Sequence, residues 1–170
     1  MTTPDTKLPD PPLRILFVCT GNTCRSPLAE ALSERRRGEL GLPSLEIRSA
    51  GTHTRPGQPA SLGARRAADR HGLSLEGHES TSLTRELVQW ADWILAMSPS
   101  HLNSVRELGG GEKAALLGAF AREENPGDEG NTLSVPDPFG GDDEVYEATF
   151  RTLEELVERA LERLAREARK

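Results

Sequence analysis

Apolar and polar positions change along this chain in blocks that read as strand and helix by turns. Ile15-Leu16-Phe17-Val18 is an unbroken apolar run and predicts a buried strand. Pro27-Leu28-Ala29-Glu30-Ala31-Leu32 follows with helical spacing, its proline in the first turn, where a missing N–H costs nothing. Residues 44–49 alternate and predict a second strand. Residues 60–71 predict a helix that ends before Gly72, and 85–89 a short helical turn. A buried strand over 93–97 leads to a helix over 99–108 that stops at Gly109-Gly110-Gly111, and 113–117 supply a fourth strand. Residues 118–136 read as a long polar loop. Residues 142–169 predict a long amphipathic helix with Val145, Leu153, Leu156, Val157, Ala160, Leu161 and Leu164 on one face. Strands alternating with helices predict an α/β fold, a three-layer doubly wound sheet of four parallel strands with helices on both faces. Ligands of such sheets sit beyond the strand C-termini, at a switch point.

The first strand ends in the chain's most distinctive segment, Cys19-Thr20-Gly21-Asn22-Thr23-Cys24-Arg25-Ser26-Pro27. It joins a strand end to a helix N-terminus, where backbone N–H groups lack partners and the helix dipole favours an anion. That setting also favours the nucleophilic thiolate form of a cysteine. Cys19 is therefore the candidate nucleophile, able to carry a phosphoryl group as a thiophosphate. Arg25 offers a planar, permanently charged fork that matches two phosphate oxygens. Gly21 is expected to turn the backbone with positive φ, while Asn22 tolerates a left-handed conformation and braces the loop. Ser26 is expected to donate its hydroxyl proton to Cys19. Thr20, Gly21, Asn22, Thr23, Cys24 and Ser26 together form the expected phosphate cradle. A buried strand-end cysteine is otherwise a small hydrophobe. The strand before it, the Gly and Asn within, and the Ser-Pro and helix after it favour the cradle. Cys24 has two readings: packing beneath the loop, or pairing with Cys19 in a disulfide on oxidation.

A leaving group needs a proton. Asp137, in Ser134-Val135-Pro136-Asp137-Pro138-Phe139-Gly140-Gly141, is the candidate general acid, held extended by the prolines on either side. The same residues also make an ordinary turn, and the pattern alone accommodates both.

Composition narrows the picture. A chain of 170 residues can bury one substantial core, and 35% hydrophobic against 28% charged residues implies a soluble surface. Residues 1–12, with Pro4, Pro9, Pro11 and Pro12, are expected to form a flexible tail, and 13–170 a single domain. No run has the length of a membrane span, and no export signal is visible. With only two cysteines, the thiols are expected to be reduced, in a cytoplasm. A net charge of −6 argues against nucleic acid as a partner. It does not oppose phosphate, because Arg25 and the helix N-terminus make their own local field. No cofactor is implied, and two cysteines in one tight loop without a nearby histidine do not make a metal site. The triple glycine is a turn rather than a phosphate loop. His53, His71 and His101 read as surface residues, and 121–131 as a mobile, solvated insertion.

The segment from Cys19 to Glu30, together with Asp137-Pro138-Phe139, resembles the low-molecular-weight protein tyrosine phosphatase family. The resemblance runs from about Leu13 to the last helix. Its further landmarks are Ser49-Ala50-Gly51-Thr52, His78 and Asp92-Trp93-Ile94-Leu95-Ala96-Met97. It implies Cys19 as nucleophile, Arg25 as phosphate clamp and Asp137 as acid, then as base in hydrolysis of the phosphoenzyme. By the same resemblance Ser49 and His78 support the loop, although His78 also reads as a loop histidine after Gly77. Two details resemble the bacterial protein-arginine phosphatases within the family. Thr23 stands where tyrosine-specific members usually carry a bulkier aliphatic, and Asp137-Pro138-Phe139-Gly140-Gly141 replaces an acid loop that commonly carries two aromatics. A phosphotyrosine ring gains from apolar and aromatic walls. A polar phosphoguanidinium suits a threonine hydroxyl and an open Gly-Gly rim beside Phe139. The expected function is hydrolysis of phosphoarginine in a phosphorylated protein by a monomer. Phosphotyrosine is the alternative; an arsenate reductase or phosphoryl carrier fits less well.

Overall fold

The computed structural model describes residues 12–42, 44–123 and 134–168. Residues 1–11, and with them nearly all of the expected tail, lie outside the described residues. So does most of the 121–131 insertion.

Strand β1 (Leu13–Cys19) is central, paired in parallel with β2 (Leu45–Gly51) on one side and β3 (Trp93–Ala96) on the other. Strand β4 (Ala114–Leu116) pairs in parallel with β3, giving the order β2-β1-β3-β4. The chain moves outward from β1 to β2, then back across β1 to β3. The sheet's switch point therefore lies between β1 and β3, beside Cys19.

Period-two alternation in β1 feeds two cores. Ile15, Phe17 and Cys19 face a large core with helices α1 (Arg25–Glu39), α2 (Leu62–Arg70), α5 (Leu117–Arg122) and α6 (Asp143–Ala168). Leu16 and Val18 face the opposite core with α3 (Arg85–Trp90) and α4 (Pro99–Glu107). This is the expected three-layer α/β sheet with helices on both faces. The main seam joins α1, through Leu28 and Leu32, to the α6 stripe of Phe150, Leu153, Val157 and Leu161, all buried. Each such side chain contributes on the order of 1.5–3 kcal/mol.

Three expectations need correction. The 118–136 stretch is not all loop: α5 occupies its start, with Leu117, Ala119, Phe120 and Ala121 buried. Phe120 packs on Trp93, ring centroids 5.0 Å apart, and the helix lies against α6, so tertiary packing holds the short helix in place. Val145 is not on the buried face. It lies in the first turn of α6, beside Gly141, and is 43% exposed, while Tyr146 and Thr149 fill the stripe there. His71 is half-buried rather than an ordinary surface histidine. It ends α2 against α6, stacked on Phe150 at 4.1 Å between centroids and bonded to Glu147.

Gly51 closes the end of β2 next to the Cys19 loop. A Cβ there would lie 2.6 Å from the Thr20 carbonyl oxygen, so only glycine lets the loop sit this close.

Candidate active site

The loop from Cys19 to Arg25 spans the gap between the C-terminus of β1 and the N-terminus of α1. No acidic residue occupies the first turn of α1, and no side chain caps it. Among the described residues, none of the backbone N–H groups of Gly21, Asn22, Thr23 and Cys24 has a partner. The helix end is thus left free for an anion.

Asn22 organises the loop, and it rather than Gly21 takes the left-handed conformation, with φ at 55°. Its side chain and carbonyl supply the bonds that make this tolerable. Asn22 Nδ2 donates to Ser26 Oγ (2.7 Å) and to Ser49 Oγ (2.9 Å), and Oδ1 accepts from Thr81 N (2.8 Å). His78 Nε2 donates to the Asn22 carbonyl (2.7 Å), which places the half-buried His78 behind the loop. Ser49 Oγ passes its own proton to Glu30 Oε1 at 2.8 Å. Burial pushes the Glu30 carboxyl upward, while the Ser49 hydrogen bond and His78 oppose that shift. Glu30 carries no signal along the chain, because its neighbours Ser49 and His78 come from β2 and from the loop beyond α2.

Cys19 is 2% exposed, with Sγ 2.9 Å from Ser26 Oγ. Ser26 already accepts from Asn22, so its proton is free to point at the sulfur, a bond that a thiolate accepts well. Cys24 packs beneath the loop, Sγ 3.2 Å from Ser61 Oγ and 3.6 Å from Tyr146 Oη, and both cysteines are free thiols. Burial, foremost, raises the Tyr146 phenol, which keeps it a neutral neighbour to Cys24.

Arg25 is 4% exposed and held on two sides. Nη1 donates to the Val135 carbonyl (2.9 Å), and Nη2 reaches Thr20 Oγ1 (3.4 Å). Its Nε is buried without a hydrogen-bond partner among the described residues. Leaving such a donor unpaired costs about 1–3 kcal/mol, which an incoming oxygen would recover. Val135 N bonds to the Met97 carbonyl (2.8 Å), so the loop that carries Asp137 is pinned to the end of β3 as well as to Arg25. Asp137 Oδ2 then stands 3.7 Å from Arg25 Nη2 while the carboxylate stays half exposed. Asp137 Oδ1 accepts from Phe139 N at 3.0 Å. Cys19, Thr20, Thr23, Arg25, Asp137 and Phe139 line one open cavity of about 560 Å³. The arrangement can seat a phosphoryl group with a sulfur on one side and a carboxylate on the other.

His101, expected on the surface, is instead 2% exposed and belongs to this site. Its Nδ1 accepts from Ser98 N (3.1 Å), and its Nε2 lies 2.8 Å from Thr20 Oγ1. Burial first, and Arg25 second, lower its pKa from the usual 6.5 to about 4, so the ring is neutral at neutral pH. His53 is exposed on the cavity wall, as expected.

The model of the low molecular weight phosphotyrosine protein phosphatase family matches residues 14–170. The chain belongs to that family, and with it to the cysteine-dependent protein phosphatases. It is 39% identical over 158 residues to a protein-arginine-phosphatase of Geobacillus stearothermophilus, covering 92% of this chain and 99% of that one. It is 35% identical over 156 residues to the low molecular weight protein-tyrosine-phosphatase Etp of Escherichia coli K12, covering 89% and 95%. A solved structure of YwlE arginine phosphatase, a cysteine-to-serine mutant with a phosphorylated active-site serine, superposes with a TM-score of 0.80. That pair is 35% identical, covering 93% of this chain and 97% of the other.

Proposed function

We propose that this protein removes phosphate from phosphoarginine in proteins. The observation that carries the reading is one cavity holding the Cys19 sulfur, the buried and incompletely paired Arg25 guanidinium and the Asp137 carboxylate. Cys19 attacks phosphorus as a thiolate, forming the P–S bond as the P–N bond to the arginine breaks. Arg25 and the loop N–H groups of residues 20–26 hold the phosphoryl oxygens. Asp137 gives its proton to the departing guanidine nitrogen. It then takes one from the water that attacks the thiophosphate, releasing phosphate and restoring the thiolate. Asn22, Ser49 and His78 hold the loop, and Ser26 holds the sulfur.

Arginine is favoured over tyrosine by the cavity wall. Thr23 offers a hydroxyl there, and the rim beyond Phe139 continues into Gly140-Gly141 rather than a second aromatic. The similarity to protein-arginine-phosphatases points the same way. One observation favours phosphotyrosine instead: Phe139 is 75% exposed, free to cover an aromatic ring. Replacing Thr23→Ile separates the two. The ratio of phosphoarginine to phosphotyrosine turnover should fall, and an unchanged ratio removes Thr23 from specificity.

We further read the protein as a cytoplasmic monomer that meets its phosphorylated protein partner directly. Both cysteines are free thiols, the state a reducing compartment maintains.

A further inference from the structure

We propose that His101 is a positioning residue for this reaction, acting through Thr20: its Nε2–H fixes the Thr20 hydroxyl so that the hydroxyl proton is offered to the phosphoryl group. The inference rests on the phosphatase reading of the site. It starts from a donor that has no choice. Ser98 N can only donate, so its approach to 3.1 Å makes His101 Nδ1 an acceptor, and Ser98 Oγ, at the same distance, can turn its own proton to that nitrogen. The proton of the neutral imidazole therefore sits on Nε2 and is given to Thr20 Oγ1 at 2.8 Å. Arg25 Nη2 approaches the same oxygen at 3.4 Å. A hydroxyl has two acceptor positions and one proton. With both acceptor positions taken by His101 and Arg25, the Thr20 proton must leave in the remaining direction. Thr20 lines the cavity beside Cys19, Arg25 and Asp137, where a bound phosphoryl group would present its oxygens to that proton.

Helix α4 makes this possible. His101 stands in its first turn, and the Ser98 bond that braces the turn also chooses the tautomer. The ring is buried, so water does not compete for Nε2. Burial first, and the Arg25 cation second, keep the ring in its neutral form.

The test is a double-mutant cycle on full-length protein, reading kcat/KM with a phosphorylated peptide and the melting temperature of each variant. Thr20→Val removes the hydroxyl and His101→Leu removes the donor. His101→Gln returns an amide N–H of similar reach. Thr20→Val is expected to lower kcat/KM by about 10- to 100-fold, the range of a hydrogen bond to a charged group. His101→Leu should cost nearly as much alone and almost nothing when Thr20 is already valine, and His101→Gln should recover part of the loss. Equal cost of His101→Leu in both backgrounds, or no cost in the wild type, overturns the proposal. A loss that follows the melting temperature in both backgrounds does the same, because it marks a purely structural brace of α4. An inactive wild type would instead count against the phosphatase reading itself.

Discussion

Asn22 Nδ2 donates to Ser26 Oγ over 2.7 Å, and that single bond decides where the Ser26 proton goes. Ser26 cannot give its proton back to a donor, so the proton turns to Cys19 Sγ, 2.9 Å away. Asn22 in turn is clamped by Ser49, Thr81 and His78. The sulfur's only described polar side-chain partner is thus oriented by residues drawn from β2 and the loops beyond it.

Reversing the polarity of Asn22 should therefore misdirect Ser26 without changing the shape of the loop. Ser26→Ala is expected to lower kcat by about 10- to 100-fold, the worth of a hydrogen bond to a charged group. Asn22→Asp should cost at least as much, because its carboxylate accepts the Ser26 proton that Cys19 needs. Steady-state kinetics with thermal melts check both. A wild-type kcat for Asn22→Asp would mean that this bond does not orient Ser26.

Asp137 can be tested with little disturbance to the fold. Its carboxylate is half exposed, and an asparagine keeps the Oδ1 that accepts from Phe139 N. Asp137→Asn is expected to lower kcat by about 100- to 10,000-fold while leaving the melting temperature nearly unchanged. Retained turnover would return Asp137 to the ordinary turn that its flanking prolines also permit.

The buried His101 ring makes a pH prediction with a definite sign. Its folded pKa of about 4 lies below the ordinary 6.5, so the unfolded chain binds a proton that the folded chain refuses. Stability from this group is complete above about pH 6.5 and drains away as pH falls toward about 4. The loss approaches about 3 kcal/mol in full. Urea unfolding of wild type and His101→Leu across that window should show the wild type losing stability faster toward acid. Parallel curves would contradict the assignment.

Much of the fold and part of the site could be read along the chain, for a physical reason. The Cys19–Arg25 loop is contiguous, and its strand, turn and helix each have local signals. What escaped depends on how the sheet is crossed. His101 lies 81 positions from Thr20, and only the return of the chain from β2 across β1 to β3 carries α4 over the loop. Helix α5 is too short to show a period, and its packing against α6 and Trp93 joins residues far apart in sequence. The sequence allows a left-handed conformation at both Gly21 and Asn22, and only the fold decides between them. The bonds that let Asn22 take that role come from Ser26, Ser49, Thr81 and His78, most of them distant in sequence.

The central claim is the choice of phosphoarginine, and kcat/KM measured side by side on matched phosphoarginine and phosphotyrosine peptides tests it most directly. With Thr23 in the wall and Gly140-Gly141 at the rim, the wild type should favour phosphoarginine. A preference for phosphotyrosine would contradict that choice, showing that the exposed Phe139 ring rather than the Thr23 hydroxyl governs what the cavity accepts.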